Sequence, residues 1–110
     1  MQTSYFAKPG IRKNPAAVSI ALWTPRWWGK GRRYPSLAPT KDMLQAGYEY
    51  EEYATLLKSR DLDPAVIYEE LKDNILCCFC KTGSPCHRFF ATYWIETALG
   101  FPEGFIKEVE

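Results

Sequence analysis

Apolar and polar positions along the chain fall into blocks of different period. Thr3 to Ala7 is a short run of β-formers closed by Pro9-Gly10. Ala16 to Leu22 is a second, almost wholly apolar run between Asn14-Pro15 and Thr24-Pro25. Both read as strands, and the second lacks polar alternation, as a strand covered on both faces of a parallel or mixed sheet does. From Trp23 to Pro39, three prolines and two glycines predict a long loop without regular structure. Thr40 is placed to cap a helix that Gly47 interrupts, and Tyr50 to Ser59 continues as a helix with Tyr53, Leu56 and Leu57 on one face. Asp63-Pro64 supplies a cap and a proline at the first helical position, ahead of Val66, Ile67 and Leu71 at helical spacing. Ile75 to Phe79 is an apolar strand and Cys80 to Pro85 a loop. Cys86 to Leu99 is an aromatic-rich helix that Gly100 ends, and Phe105 to Val109 returns as an edge strand.

This order of elements predicts an α/β fold: residues 1–110 form one small layered domain with a largely parallel sheet flanked by helices. At 110 residues the chain supports one core. With 46% hydrophobic and 15% aromatic residues, that core needs neither metal nor disulfides as a necessity. No apolar run approaches the ~18 residues of a membrane span, and Met1 to Gly10 lacks the apolar stretch of a signal peptide, so the expected location is cytoplasmic.

Charge changes this picture more than composition does. The net charge of +1 conceals eight lysines and arginines and no acid in residues 1–41, against six basic residues and all thirteen acids in residues 42–110. The basic half is the natural side for an anionic partner, a small molecule or a nucleic acid. Within the loop of residues 23–39, Trp23, Trp27, Trp28 and Tyr34 interleave with Arg26, Lys30, Arg32 and Arg33. That mixture suits phosphate contacts plus base stacking. It equally suits tryptophans packed over a sheet edge with the cations reaching to water.

Cys77, Cys78, Cys80 and Cys86 lie within ten residues. Such short spacings gain little from disulfides, so these residues read as thiols or ligands in a reducing compartment. Ser84-Pro85 is a helix-start signal that puts Cys86 and His87 in the first turn, where the helix dipole favours a thiolate or a bound anion. Cys86 is then a candidate nucleophile, His87 a proton carrier and Arg88 a bidentate anion donor. The bland alternative has Cys86 packing on the buried face with Phe90. Cys78, Cys80, Cys86 and His87 also have ligand types suited to zinc, although C-x-C, five residues, then C-H is not a standard zinc spacing. In a parallel sheet, ligands bind beyond the carboxyl ends of the strands. That rule gathers Lys8, the Trp27, Arg32 and Arg33 loop, Cys78, Cys80, Ser84 and the Cys86 to Arg88 turn into one crevice.

Thr3 to Lys8, the Val18 to Leu22 strand, Pro25 to Trp27, Tyr34 to Pro39, the Tyr50 to Tyr53 helix, and ILCCF followed by Cys86-His87-Arg88 together resemble the domain-of-unknown-function family numbered 488. The resemblance runs over essentially the whole chain and implies a prokaryotic or viral α/β protein without an established activity. It implies a host setting of a prokaryotic or virus-infected cell. Cys78 matches the family's cysteine at the strand end, and Cys86, His87 and Arg88 match its helix-start triplet. Members often carry Glu two residues after the first cysteine, where this chain has Cys80. The C-x-C…CH spacing is also similar to that of a second small family of unknown function.

Overall fold

The computed structural model describes residues 1–29, 31–79 and 87–110. Its sheet has four strands, β1 (Gln2–Tyr5), β2 (Ala17–Ser19), β3 (Ile75–Cys78) and β4 (Lys107–Glu108), in the order β2-β3-β1-β4. Every pairing is parallel, with Thr3 opposite Leu76 and Glu108, and Val18 opposite Leu76. The helices are α1 (Lys41–Ala46), α2 (Tyr50–Ser59), α3 (Pro64–Leu71) and α4 (His87–Leu99). The α/β class, the parallel sheet and the edge position of the last strand agree with the sequence pattern.

Local signals account for the helix ends. The Thr40 hydroxyl accepts from the Met43 amide at 3.1 Å, and the Asp63 carboxylate accepts from Ala65 at 2.9 Å. Glu49 and Glu52 close a reciprocal capping box on α2. After α4 the chain turns at Gly100 with φ of 75°, a left-handed conformation that a Cβ disfavours. On α3, Ile67 and Leu71 are buried as their spacing predicts, whereas Val66 faces solvent.

The strand order decides which face each connection covers. From β2 to β3 and from β3 to β4 the chain steps one way across the sheet, and from β1 to β2 it steps the other way. Right-handed crossovers therefore put the helices on one face and residues 6–16 on the opposite face. Side-chain alternation agrees. Val18, Ile20 and Leu76 pack with Tyr53, Leu57 and Ile95 from the helices, while Ala17, Ile75 and Cys77 pack with Phe6, Ile11 and Trp28. The second face carries no α-helix among the described residues. The 3₁₀ turn at Ile11–Lys13, Phe6 and the Trp28 indole cover it.

The loop of residues 23–39 corrects the expectation that prolines and glycines exclude regular structure there. It holds 3₁₀ turns at Arg26–Trp28 and Pro35–Leu37, the second with proline at its start. It also extends the sheet: Ser19 donates to Arg32 O at 2.9 Å, and Tyr34 donates to Ser19 O at 2.7 Å. The Tyr53 hydroxyl donates to Leu37 O, and the Arg60 guanidinium to Ser36 O and Ala38 O at 2.8 and 2.6 Å. These bonds tie the loop to α2, so its backbone is held by partners rather than by a regular element.

Ser4 carries a second consequence of the packing. Its side chain lies on the Cys77 side of β1, is fully buried, and its Oγ has no hydrogen-bond partner among the described residues. A buried unpaired hydroxyl costs about 1–3 kcal/mol. Ser4→Ala is therefore expected to leave stability unchanged or raise it by about 1 kcal/mol in a urea melt. A loss of that size would mean that the hydroxyl has a partner.

Candidate functional site

β1 and β3 are neighbours whose chains leave their carboxyl ends toward opposite faces, one into residues 6–16 and the other toward α4. Such a switch point opens a crevice at the strand ends. Tyr5, Ser19 and Cys78 end the three strands there, followed by Phe6, Ile20 and Phe79. Beside it lies a cavity of about 90 Å³ with Leu22, Trp23, Leu44 and Phe79 around it and the buried Cys78 and His87 at its inner wall. Its surroundings are apolar and aromatic. Trp23 and Phe79, which both border it, are 56% and 55% exposed, high values for large apolar side chains.

Arg88, in the first turn of α4, has no solvent exposure. Its Nε donates to Glu108 Oε1 at 3.2 Å and its Nη2 to Glu108 Oε2 at 2.8 Å, a two-point ion pair, while Nη1 lies 3.0 Å from Cys78 Sγ. The Phe89 ring sits 4.4 Å below the guanidinium and the Tyr5 ring 6.0 Å away. Glu108 also accepts from the Thr3 hydroxyl across the β1–β4 pair. The bidentate fork that the sequence assigns to an external anion thus engages a carboxylate of the same chain. The reason is topological: β4 runs beside β1, directly under the start of α4.

Glu108 owes its position to Glu96. That side chain, 4% exposed on α4, accepts from the Gly104 and Ile106 amides at 3.3 and 2.8 Å and so fixes the turn from which β4 departs. Nothing in the sequence singled out either glutamate. The available signal was two acids at helix and strand positions that a helix-start arginine would need as partners.

His87 is 6% exposed, and its Nε2 lies 2.7 Å from Ile20 O. A carbonyl only accepts, so the ring carries its proton on Nε2. Burial lowers its pKa from 6.5 to about 4, with the Arg88 charge adding to the drop and the Ile20 bond opposing it. At neutral pH the ring is uncharged and holds the end of β2 to the start of α4. Proton carriers work best with a pKa near the operating pH, which this ring does not have.

Cys77 is a buried free thiol whose pKa burial pushes up to about 12, as suits a core residue. Cys78 is half of a disulfide, contrary to its expected reading as a thiol or thiolate ligand. Loop entropy bears on how much a disulfide stabilises and does not prevent one from forming. Cys80, Ser84 and Cys86 lie outside the described residues. Of the four candidate zinc ligands, only Cys78 and His87 are described, one already in a disulfide and the other bonded to a carbonyl. Among the described residues no three His, Cys, Asp or Glu side chains are grouped to hold a metal.

The remaining candidates divide between the two ends of the sheet. Lys8 follows the carboxyl end of β1, and Arg33 bridges Ser19 at the carboxyl end of β2. Trp27, 36% exposed, packs edge-on to Phe6 with ring centroids 6.3 Å apart. Arg32 points the other way. Its Nη1 bonds Asn74 Oδ1 at 3.2 Å, just ahead of the amino end of β3. The expectation that Arg32 stands beside Arg88 does not hold, because the loop runs parallel to β2 and so puts Arg32 ahead of Arg33 along the strand direction.

No family model, no curated protein and no solved structure matches the chain. The class of protein is therefore defined by its architecture, a small α/β domain with an all-parallel four-stranded sheet. Among the described residues no helix is long and apolar enough to cross a membrane.

Proposed function

We propose that the chain is a binding module for a phosphorylated ligand with a flat ring, a nucleotide or the end of a single-stranded nucleic acid, seated at the carboxyl edge of the sheet. The observation that carries this reading is the pair of exposed rings, Trp23 and Phe79, beside the cavity over Cys78 and His87. At about 90 Å³ the cavity is well below the ~300 Å³ of a site that engulfs a ligand. It suits the edge of one ring, with the rest of the ligand lying across the aromatic faces. Among the described residues, Lys8 and Arg33, at the ends of β1 and β2, are cations placed to take a phosphate.

Binding is favoured over processing by the state of the helix start. Arg88 is neutralised by Glu108 and His87 is a neutral hydrogen-bond donor, so neither is poised for the anion-holding and proton-moving roles that catalysis there would ask of them.

Tryptophan fluorescence titrated with nucleoside mono- and triphosphates and short oligothymidylates tests the reading. Trp23→Ala and Phe79→Ala are each expected to weaken binding by about 1–3 kcal/mol, the range for one stacked base. Melting should be unchanged in Trp23→Ala, whereas Phe79→Ala also loses its edge contact with the buried Phe6 ring and should melt slightly lower. If no member of the panel binds at millimolar concentration, the reading falls.

A further inference from the structure

Two cations of the basic first half of the chain, Arg12 and Arg32, lie on the sheet face that the helices leave uncovered. There a cavity of about 170 Å³ is lined by Arg12 and Arg32, with Trp28, Ile11 and Ala17 behind them. It lies toward the amino end of β2, away from the aromatic cavity at the carboxyl edge. Arg12, Lys13, Arg26, Arg32 and Arg33 are all exposed, and among the described residues none is within ion-pair distance of a carboxylate. Charges left uncompensated on one face attract a polyanion.

Aromatic rings connect this cavity to the carboxyl edge without a break. The Arg12 guanidinium sits 5.5 Å from the Trp27 ring, Trp27 lies 6.3 Å from Phe6, and Phe6 lies 4.8 Å from Phe79, which borders the aromatic cavity. Cations at one end and the exposed Trp27 and Phe79 rings on either side of the buried Phe6 are what a flexible strand needs, since its phosphates and unpaired bases present charge and ring faces in succession. A mononucleotide would occupy only one end of this track. A duplex would keep its bases stacked on one another and offer no ring to Trp27 or Phe79.

We infer that Arg12, Arg32 and Trp27 form a second subsite that extends the carboxyl-edge site across the helix-free face, and that the ligand is a single-stranded nucleic acid several nucleotides long. This rests on the binding reading given above.

The test measures oligothymidylates of one to eight nucleotides, and an eight-base-pair duplex, by fluorescence titration at two salt concentrations. The wild-type chain is expected to gain at least tenfold in affinity from one to eight nucleotides and to bind the duplex more weakly than the single strand. In the Arg12→Gln/Arg32→Gln double variant the gain with length should disappear while mononucleotide affinity stays. Its plot of log affinity against log salt should become shallower by about 1.4, the value for two lost phosphate contacts on a single strand. A thermal melt confirms that the variant is folded, and Arg12→Lys should recover part of the gain.

If mononucleotides bind but affinity does not rise with length, or the double variant behaves as wild type, the second subsite is wrong and the carboxyl-edge site stands. Equal binding of the duplex also overturns it. Absence of binding by every nucleotide and oligonucleotide overturns both readings together. Binding to anionic lipid vesicles in that case would identify the basic face as a membrane-docking surface instead.

Discussion

Arg88→Ala is expected to lower the unfolding free energy by about 3 kcal/mol or more, the largest effect of any single substitution in the helix start. The change leaves the Glu108 carboxylate without its two-point partner, removes the donor to Cys78 Sγ, and opens a cavity between Phe89 and Tyr5. Because Glu108 keeps 19% side-chain exposure, water relieves part of its charge and the loss falls at the lower end of the range for a broken buried pair. Glu108→Gln alone should cost less, since the amide can still accept from the guanidinium. A double-mutant cycle in urea is expected to give a coupling of about 2 kcal/mol between positions 88 and 108. A coupling near zero would mean that the pair contributes by packing alone.

Acidification is expected to weaken the fold through His87. The unfolded ring titrates near 6.5 and the folded one near about 4, so between those values the unfolded chain binds the extra proton and stability falls as pH falls. Above 6.5 the contribution is fully present, and below about 4 it is gone. The drop corresponds to on the order of 3 kcal/mol. The upper part of the window is the cleaner one to read, because carboxylates add their own dependence lower down. His87→Gln retains an amide that can donate to Ile20 O and does not titrate. Its urea midpoint should stay nearly flat where that of the wild-type chain declines, and an equal decline in both would clear His87 of the effect.

What the sequence shows of this protein is mostly what its neighbours along the chain decide. Thr40 and Asp63-Pro64 mark helix starts through bonds that reach only two or three residues, and Gly100 marks an end through its own left-handed backbone, so all are legible as such. The alternation of Ile75, Leu76 and Cys77 between two faces is likewise local. Arg88 is different. A helix start next to cysteine and histidine reads as an anion site, and only the pairing of residues 2–3 with 107–108 brings Glu108 beneath it. The same holds for Arg32. Its neighbours suggest a site wall, but the bridge from Ser19 to Arg33 sets the direction of the loop and sends Arg32 to the amino end of the sheet. The loop's 3₁₀ turns were hidden for another reason: proline bars a longer helix yet starts a single turn well.

The position of β1 has a bearing on how the chain reaches this state. Its residues precede those of every other strand, yet both its hydrogen-bonding neighbours, β3 and β4, follow it by more than seventy residues. No hairpin can form early, and β1 gains its ladder only after some seventy residues of separation have been closed. Contacts of that sequence span slow folding relative to a helical bundle of equal size. Until residues 107–108 leave the ribosome, β1 has an open edge and Arg88 lacks its counter-charge. The emerging chain therefore passes through a stage in which its most buried cation and its central strand both wait for the same two residues.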